Sequence, residues 1–195
     1  MGPLSHFALL LAAVYPALAV ADTPSSSPRI TSISWSGNGC PRDPKFDGDF
    51  NAPVFTYNNF AASLPGTNQT LNCEAHIQTA GTSPGWQVAL KNNWVKGHLV
   101  LSPGTTLDYY TTVYFSQSAS NTASLRGRWT NGGDGTIDQG VTLRQTFSGQ
   151  VWSPCTGDSG SIGILNVNFR GALNGDGKAY FEAFTERLDF EWRRC

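Results

Sequence analysis

Val141-Thr142-Leu143-Arg144-Gln145-Thr146-Phe147-Ser148-Gly149-Gln150-Val151-Trp152 decides the fold class. Val141, Leu143, Phe147 and Val151 fall on one side of an extended chain, and Thr142, Arg144, Thr146 and Ser148 on the other. Side chains of a strand alternate between faces, so this run reads as a half-buried antiparallel strand with one face on a core. Shorter runs of the same kind lie outward from it: Ile30 to Trp35, Val54 to Tyr57, Leu71 to Thr79, Trp86 to Leu90, Lys96 to Leu101 and Leu107 to Phe115. Gly, Pro, Asn and Asp turns separate them at intervals of roughly 8–15 residues. Asn131-Gly132-Gly133-Asp134-Gly135 and Asn174-Gly175-Asp176-Gly177 read as turns. Tyr180 to Trp192 suits two periods: Phe181, Phe184, Leu188 and Trp192 fit a helix, while Leu188, Phe190 and Trp192 alternate and favour a strand. No segment repeats. The pattern predicts an all-β, two-sheet antiparallel β-sandwich, jelly-roll-like, over residues 30–195, after a short Pro/Ser leader at 22–29.

The 195 residues carry a net charge of −1, only 14% are charged, and the longest basic run is Arg193-Arg194. A nucleic-acid partner is excluded on that balance, because phosphate binding needs a basic face. Phe7 to Val20 is a mostly apolar run ending in Ala19-Val20-Ala21, which fits a signal peptide over 1–21 with Asp22 as the first mature residue. Ala17-Leu18-Ala19 is the second choice of cleavage site. The run is too short to span a bilayer. The expectation is a secreted, extracellular, soluble monomer with no membrane partner. Asn68-Gln69-Thr70 is a glycosylation sequon in a turn-like stretch, with Asn68 as the acceptor.

Cys40, Cys73, Cys155 and Cys195 allow three pairings, and an even count in an oxidising compartment favours disulfides. Proximity favours Cys40–Cys73 and Cys155–Cys195. Close pairs such as Cys-x-x-Cys, which a metal or redox site would use, are absent.

Several motifs suggest chemistry and then fall short of it. Gly157-Asp158-Ser159-Gly160 resembles the nucleophile loop of trypsin-like serine proteases, but a triad also needs a histidine base and an orienting aspartate. His76 and His98 are the only histidines after the leader, and neither lies in a matching context. Leu188-Asp189-Phe190-Glu191 resembles the catalytic strand of jelly-roll β-glucanases, which places two carboxylates on one face. Arg187 stands where their nucleophile would be, and Glu182 and Glu186 read as surface charges. Both Asp-Gly turns lack the first ligand of a calcium loop, Ala172 and Thr130 standing in its place. A copper oxygenase would need histidine as the first mature residue, which neither cleavage site supplies. No metal or cofactor is expected.

Tryptophan is the remaining lead. Trp152 and Trp192, beside Cys155 and Cys195, are expected to pack around the second disulfide. Trp94 and Trp129 adjoin turn-like sequence, Asn92-Asn93 and Asn131-Gly132-Gly133, and are the candidates for exposed sugar stacking.

Ser36-Gly37-Asn38-Gly39-Cys40-Pro41, Asn72-Cys73, Ser83-Pro84-Gly85-Trp86-Gln87, Gly97-His98-Leu99, Val151-Trp152-Ser153-Pro154-Cys155, Leu165-Asn166-Val167-Asn168 and Trp192-Arg193-Arg194-Cys195 follow one another in a recognisable order. Together they resemble the secreted, mostly fungal family catalogued as domain of unknown function 4360, all four cysteines included. Arg42-Asp43 departs from that family's usual Gln-Gly after Cys-Pro. The resemblance implies a secreted β-rich domain with paired cysteines and supplies no catalytic residues. Two functions are carried forward. The first is a non-catalytic protein, an effector among the options, that binds cell-wall or matrix polysaccharide or a host surface component. The alternative is a polysaccharide hydrolase using Asp189 and Glu191.

Overall fold

The computed structural model describes residues 23–43, 45–149 and 151–195. The signal peptide read at 1–21 lies outside them. Among the described residues the chain forms β1 (Arg29–Ser36), β2 (Lys45–Asp47), β3 (Val54–Thr56), β4 (Ala61–Leu64), β5 (Thr70–Ala80), β6 (Trp86–Leu101), β7 (Thr106–Phe115), β8 (Thr122–Thr130), β9 (Ile137–Thr146), β10 (Ile164–Asn174) and β11 (Ala179–Arg194). The first sheet runs β1-β5-β10-β7-β8; the second runs β2-β3-β11-β6-β9, with β4 also paired to β11. Every pairing is antiparallel. This is the two-sheet β-sandwich that the alternation predicts, and its inner faces enclose the core.

Alternation places the residues. Leu71, Cys73, Ala75 and Ile77 on β5, and Leu165, Val167 and Phe169 on β10, are buried against the opposite sheet. Tyr180 to Trp192 belongs to β11, so the strand reading holds. Its helix-like spacing comes from a bulge. The register slips between Ala183 and Thr185, and Phe184 turns outward, 45% exposed. Ala179, Phe181 and Ala183 face the core before the slip, and Glu186 and Leu188 after it.

The strand boundaries depart from the sequence pattern in several places. The strand opening at Val141 ends at Thr146 rather than Trp152. Phe147 and Val151 remain buried, but residues 153–156 leave β9 and bond the start of β6: Ser153 N donates to Val88 O, and Thr156 N to Trp86 O, both at 2.9 Å. The departure coincides with a bulge at Lys91, where β6 slips against β11 between Asn92 and Leu90. Second, Trp86–Leu90 and Lys96–Leu101 are halves of one strand, because Asn92-Asn93 continues the ladder instead of turning. Third, β8, like the short β2 and β4, has no counterpart among the predicted runs. It is an edge strand in which Arg126 and Arg128 alternate with half-buried Leu125 and Trp129.

Cys40 is bonded to Cys73, and Cys155 to Cys195. The first bridge ties the loop after β1 to the core side of β5. The second ties the end of β11 to the 151–156 segment, and Cys195 N donates to Gly85 O at 3.1 Å. Trp192 packs elsewhere than expected, on Phe50 at 6.0 Å with its indole N–H on Asn51. Trp152 keeps its place at that end and Trp86 takes that of Trp192, the two lying under the guanidinium groups of Arg193 and Arg194 at 4.1 and 4.0 Å.

A polar belt divides the core. On β7, Thr111 lies between Tyr109 of one apolar cluster and Val113 of the other; on β9, Gln145 lies between Leu143 and Phe147. On β6, Asn93 lies between Val95 and Leu90, and on β11 Glu186 lies between Ala183 and Leu188. The four are joined in a chain. Tyr57 donates to Glu186 Oε2 at 2.5 Å, and Asn93 Nδ2 donates to Glu186 Oε1 at 2.7 Å and to Thr111 Oγ1 at 2.8 Å. Thr111 in turn donates to Gln145 Oε1 at 2.5 Å, and Gln145 Nε2 to Leu125 O at 2.9 Å. Buried polar groups persist when they are bonded to one another, and this chain links both sheets through the centre of the sandwich.

Candidate functional site on the outer face of the second sheet

Trp94 sits in the middle of β6, not at a turn. Asn93 and Val95 point into the core, so the indole points out of the second sheet, where it is half-buried. Register sets its neighbours. Arg187 of β11 is its direct partner on one side and Arg144 of β9 on the other. The Arg144 guanidinium lies 4.5 Å from the indole centre, a cation–π contact. Asp189, next outward-facing on β11, accepts the indole N–H at 2.6 Å on one oxygen and Arg187 at 2.8 Å on the other. Three side chains from the two flanking strands therefore fix the ring. Beside it opens a concavity of about 440 Å³, lined by Val54, Trp94, Lys96, Thr142, Thr185 and Arg187. Arg144 lies outside that lining, so the concavity meets the indole away from the guanidinium.

Trp129 does not join Trp94. It pairs with Leu107 on the first sheet, and its half-buried ring packs on the core. The two indoles belong to different sheets and form no shared platform.

The carboxylates of β11 divide between faces. Asp189 and Glu191 point outward; both Asp189 oxygens are taken, and Glu191 lies 3.8 Å from Lys91. Among the described residues Glu186 is the carboxyl with the proton-holding environment of a general acid. Burial pushes it up to about 7, against the opposing pull of its bonds from Tyr57 and Asn93. It is only 1% exposed, on the core face, where no polymer reaches it. A surface glutamate was the expectation; the bulge at Phe184 put it inside. The sequence signal is phase: Glu186 continues the even-numbered series Leu188, Phe190, Trp192.

The remaining motifs are architectural. Gly157–Gly160 closes a turn by Gly160 N to Gly157 O, and Gly160 O receives Thr82 N at 3.1 Å. Gly160 has φ +64°, and a Cβ there would lie 2.7 Å from the Thr82 backbone, so glycine is required by the close approach. His76 bonds Ser36 and Asn166, and His98 bonds Asp138; neither bonds Ser159, so no triad is formed. Among the described residues no group of three His, Cys, Asp or Glu side chains is placed to hold a metal. No helix among them is long and apolar enough to cross a membrane. Asn68 is exposed in the turn between β4 and β5.

The fold and this face define a class: a disulfide-stapled β-sandwich whose aromatic and charged side chains gather on an open sheet surface. The chain belongs to the family described as domain of unknown function (DUF4360), which it matches over residues 26–195. Among solved structures it is similar to TmCBM61 in complex with β-1,4-galactotriose, at 11% identity and a TM-score of 0.32, covering 86% of this chain and 91% of that one. It is also similar to the enzymatically active domain of bacteriophage CBA120 tailspike protein 4, at 11% identity and a TM-score of 0.24, covering 84% of this chain and 19% of that one. No curated protein matches. Likenesses this distant bear on neither ligand nor activity.

Proposed function

We propose that this is a secreted protein that binds an extracellular polysaccharide without cleaving it, through the Trp94 face. The observation carrying this reading is the Trp94 site itself: an indole fixed by Arg144, Arg187 and Asp189 at the wall of an open, mixed-polarity concavity. Sugar rings present an apolar C–H face and a polar rim. An anchored indole stacks on the first, and the lysine, arginine and threonine groups of the lining bond the second. Pre-fixing the ring lowers the entropy lost on binding. Two disulfides and low net charge suit an extracellular setting.

The test is retention of oxidised protein on insoluble chitin, β-glucan and cellulose, with released sugar assayed in the supernatant. Wild type is expected to be retained without releasing sugar. Trp94→Ala should weaken retention at least about tenfold, as loss of an anchored aromatic does at binding hot spots. Sugar release abolished by Asp189→Asn would favour the hydrolase instead. Absence of retention on any glycan would redirect the search to a host surface protein. Expressed in a secreting eukaryotic host, the protein is expected to begin at Asp22 and to carry glycan on Asn68. Intact mass before and after deglycosylation checks both.

A further inference from the structure

The outer face of the first sheet repeats the arrangement around Trp94. Tyr110 of β7 stands directly opposite Arg170 of β10 on one side and Arg126 of β8 on the other. The two guanidinium groups lie 5.6 and 5.8 Å from the Tyr110 ring centre. Each sheet therefore carries an outward Arg–aromatic–Arg row in direct cross-strand register: Arg187–Trp94–Arg144 on one, Arg170–Tyr110–Arg126 on the other. In both rows an aspartate holds one arginine. Asp189 takes Arg187, and Asp108 takes Arg126 at 2.8 Å together with Arg128 at 2.7 Å.

The charge does not cancel on the first sheet. Asp108 faces two arginines, and among the described residues Arg170 bonds no carboxylate. The nearby Glu74 is already bonded by Tyr114 at 2.6 Å and Asn168 at 2.9 Å. Beside Arg170 lies a cleft of about 430 Å³ whose lining includes Asn72, Tyr110, Thr112, Ser124 and Asn168, and no aliphatic side chain. An aromatic ring, a field of amides and hydroxyls, and one guanidinium without a carboxylate partner together match a polar, ring-shaped, anionic ligand. A guanidinium pairs a carboxylate through two parallel N–H···O bonds, which a neutral sugar cannot offer.

We propose that this face is a second glycan-binding site, selective for oligosaccharides bearing carboxylate groups, with Tyr110 stacking the ring and Arg170 pairing the acid. The ligand class, a glycan, rests on the reading of the Trp94 face; the residues are separate from it. The probe is trigalacturonate, titrated calorimetrically into the full oxidised chain, with neutral laminaritriose as comparator. Arg170→Gln and Tyr110→Ala are each expected to weaken a trigalacturonate site about tenfold or more while leaving laminaritriose binding unchanged. Trp94→Ala should leave the Arg170-dependent site intact, and added salt should weaken that site selectively. Unchanged trigalacturonate binding in both Arg170→Gln and Tyr110→Ala overturns the proposal, and so does equal affinity for the two probes at this site. Loss of the Arg170-dependent site with Trp94→Ala overturns it as well. If the two first-sheet variants lose the acid while Trp94→Ala alters no glycan binding, this site stands and the Trp94 reading falls.

Discussion

Glu186 shows how much one residue's position costs and what it sets in return. Its carboxyl is buried and pushed up to about 7, so the folded chain holds a proton there that the unfolded chain releases near pH 4.5. A raised carboxyl favours the folded state fully below the unfolded value and loses that advantage as pH rises to the folded one. Stability from this group should therefore fall between about pH 4.5 and 7 and level off above, by on the order of 3 kcal/mol. Glu186→Gln keeps the shape and removes the titration. The expected result is a Tm that varies less with pH across this window than the wild type's, measured by calorimetry. If the two profiles run parallel, Glu186 does not titrate there. Asp108 runs the other way: its bond from Arg128, then that from Arg126, hold it below the usual range. It contributes stability at neutral pH that is lost on acidification. The comparison between variant and wild type cancels this opposing slope.

At the scale of elements, legibility followed the phase of the alternation. The stretch from Val141 to Thr146 keeps strict phase, and its strand was readable. β6 and β11 each break phase once, at Lys91 and Phe184, and the misreadings cluster there: a strand cut in two, a tryptophan assigned to a turn, a core glutamate assigned to the surface. A bulge adds one residue and reverses every face beyond it, while composition records nothing. β8 escaped notice for another reason. An edge strand buries one face only partly, so its apolar signal is diluted by arginines. The Arg–aromatic–Arg rows were beyond reach altogether, since they exist only through cross-strand register. Gly97 shows how tightly the β11 bulge is packed. A Cβ there would lie 2.1 Å from Glu182 O, one residue before the slip. Gly97→Ala is expected to destabilise by about 1–3 kcal/mol, an overpacking cost. Gly140→Ala, on the adjacent strand with its nearest neighbour at 3.9 Å, should be close to neutral. Urea midpoints of the two variants provide the comparison, and equal midpoints would count against a tight bulge.

On the scale of the molecule, the two disulfides act at separate places on the core. Cys73 lies in the apolar cluster with Phe60, Phe169 and Phe181, where its bridge to Cys40 spans 33 residues. Cys155 and Cys195 are exposed, beside the end of β11, and their bridge spans 40 residues. Loop-closure entropy assigns about 3–4 kcal/mol to each by restricting the unfolded chain. The bridges share no partner, so their contributions should add. Cys155→Ser/Cys195→Ser replaces exposed sulfurs with groups that water satisfies, so its loss should approach the entropic figure alone. Cys40→Ala/Cys73→Ala should lose more, because Cys73 is 1% exposed and its sulfur fills core volume. Both variants should show a larger dependence on urea, since the freed chain exposes more surface on unfolding. Neither bridge holds a residue of the Trp94 or Tyr110 rows. At temperatures where the variants remain folded, glycan retention should therefore match wild type. Urea titration checks the stability order and the slope, and retention on the same polysaccharides checks the independence of the faces. A variant that stays folded yet loses retention would show that the two proposed binding faces depend on the staples.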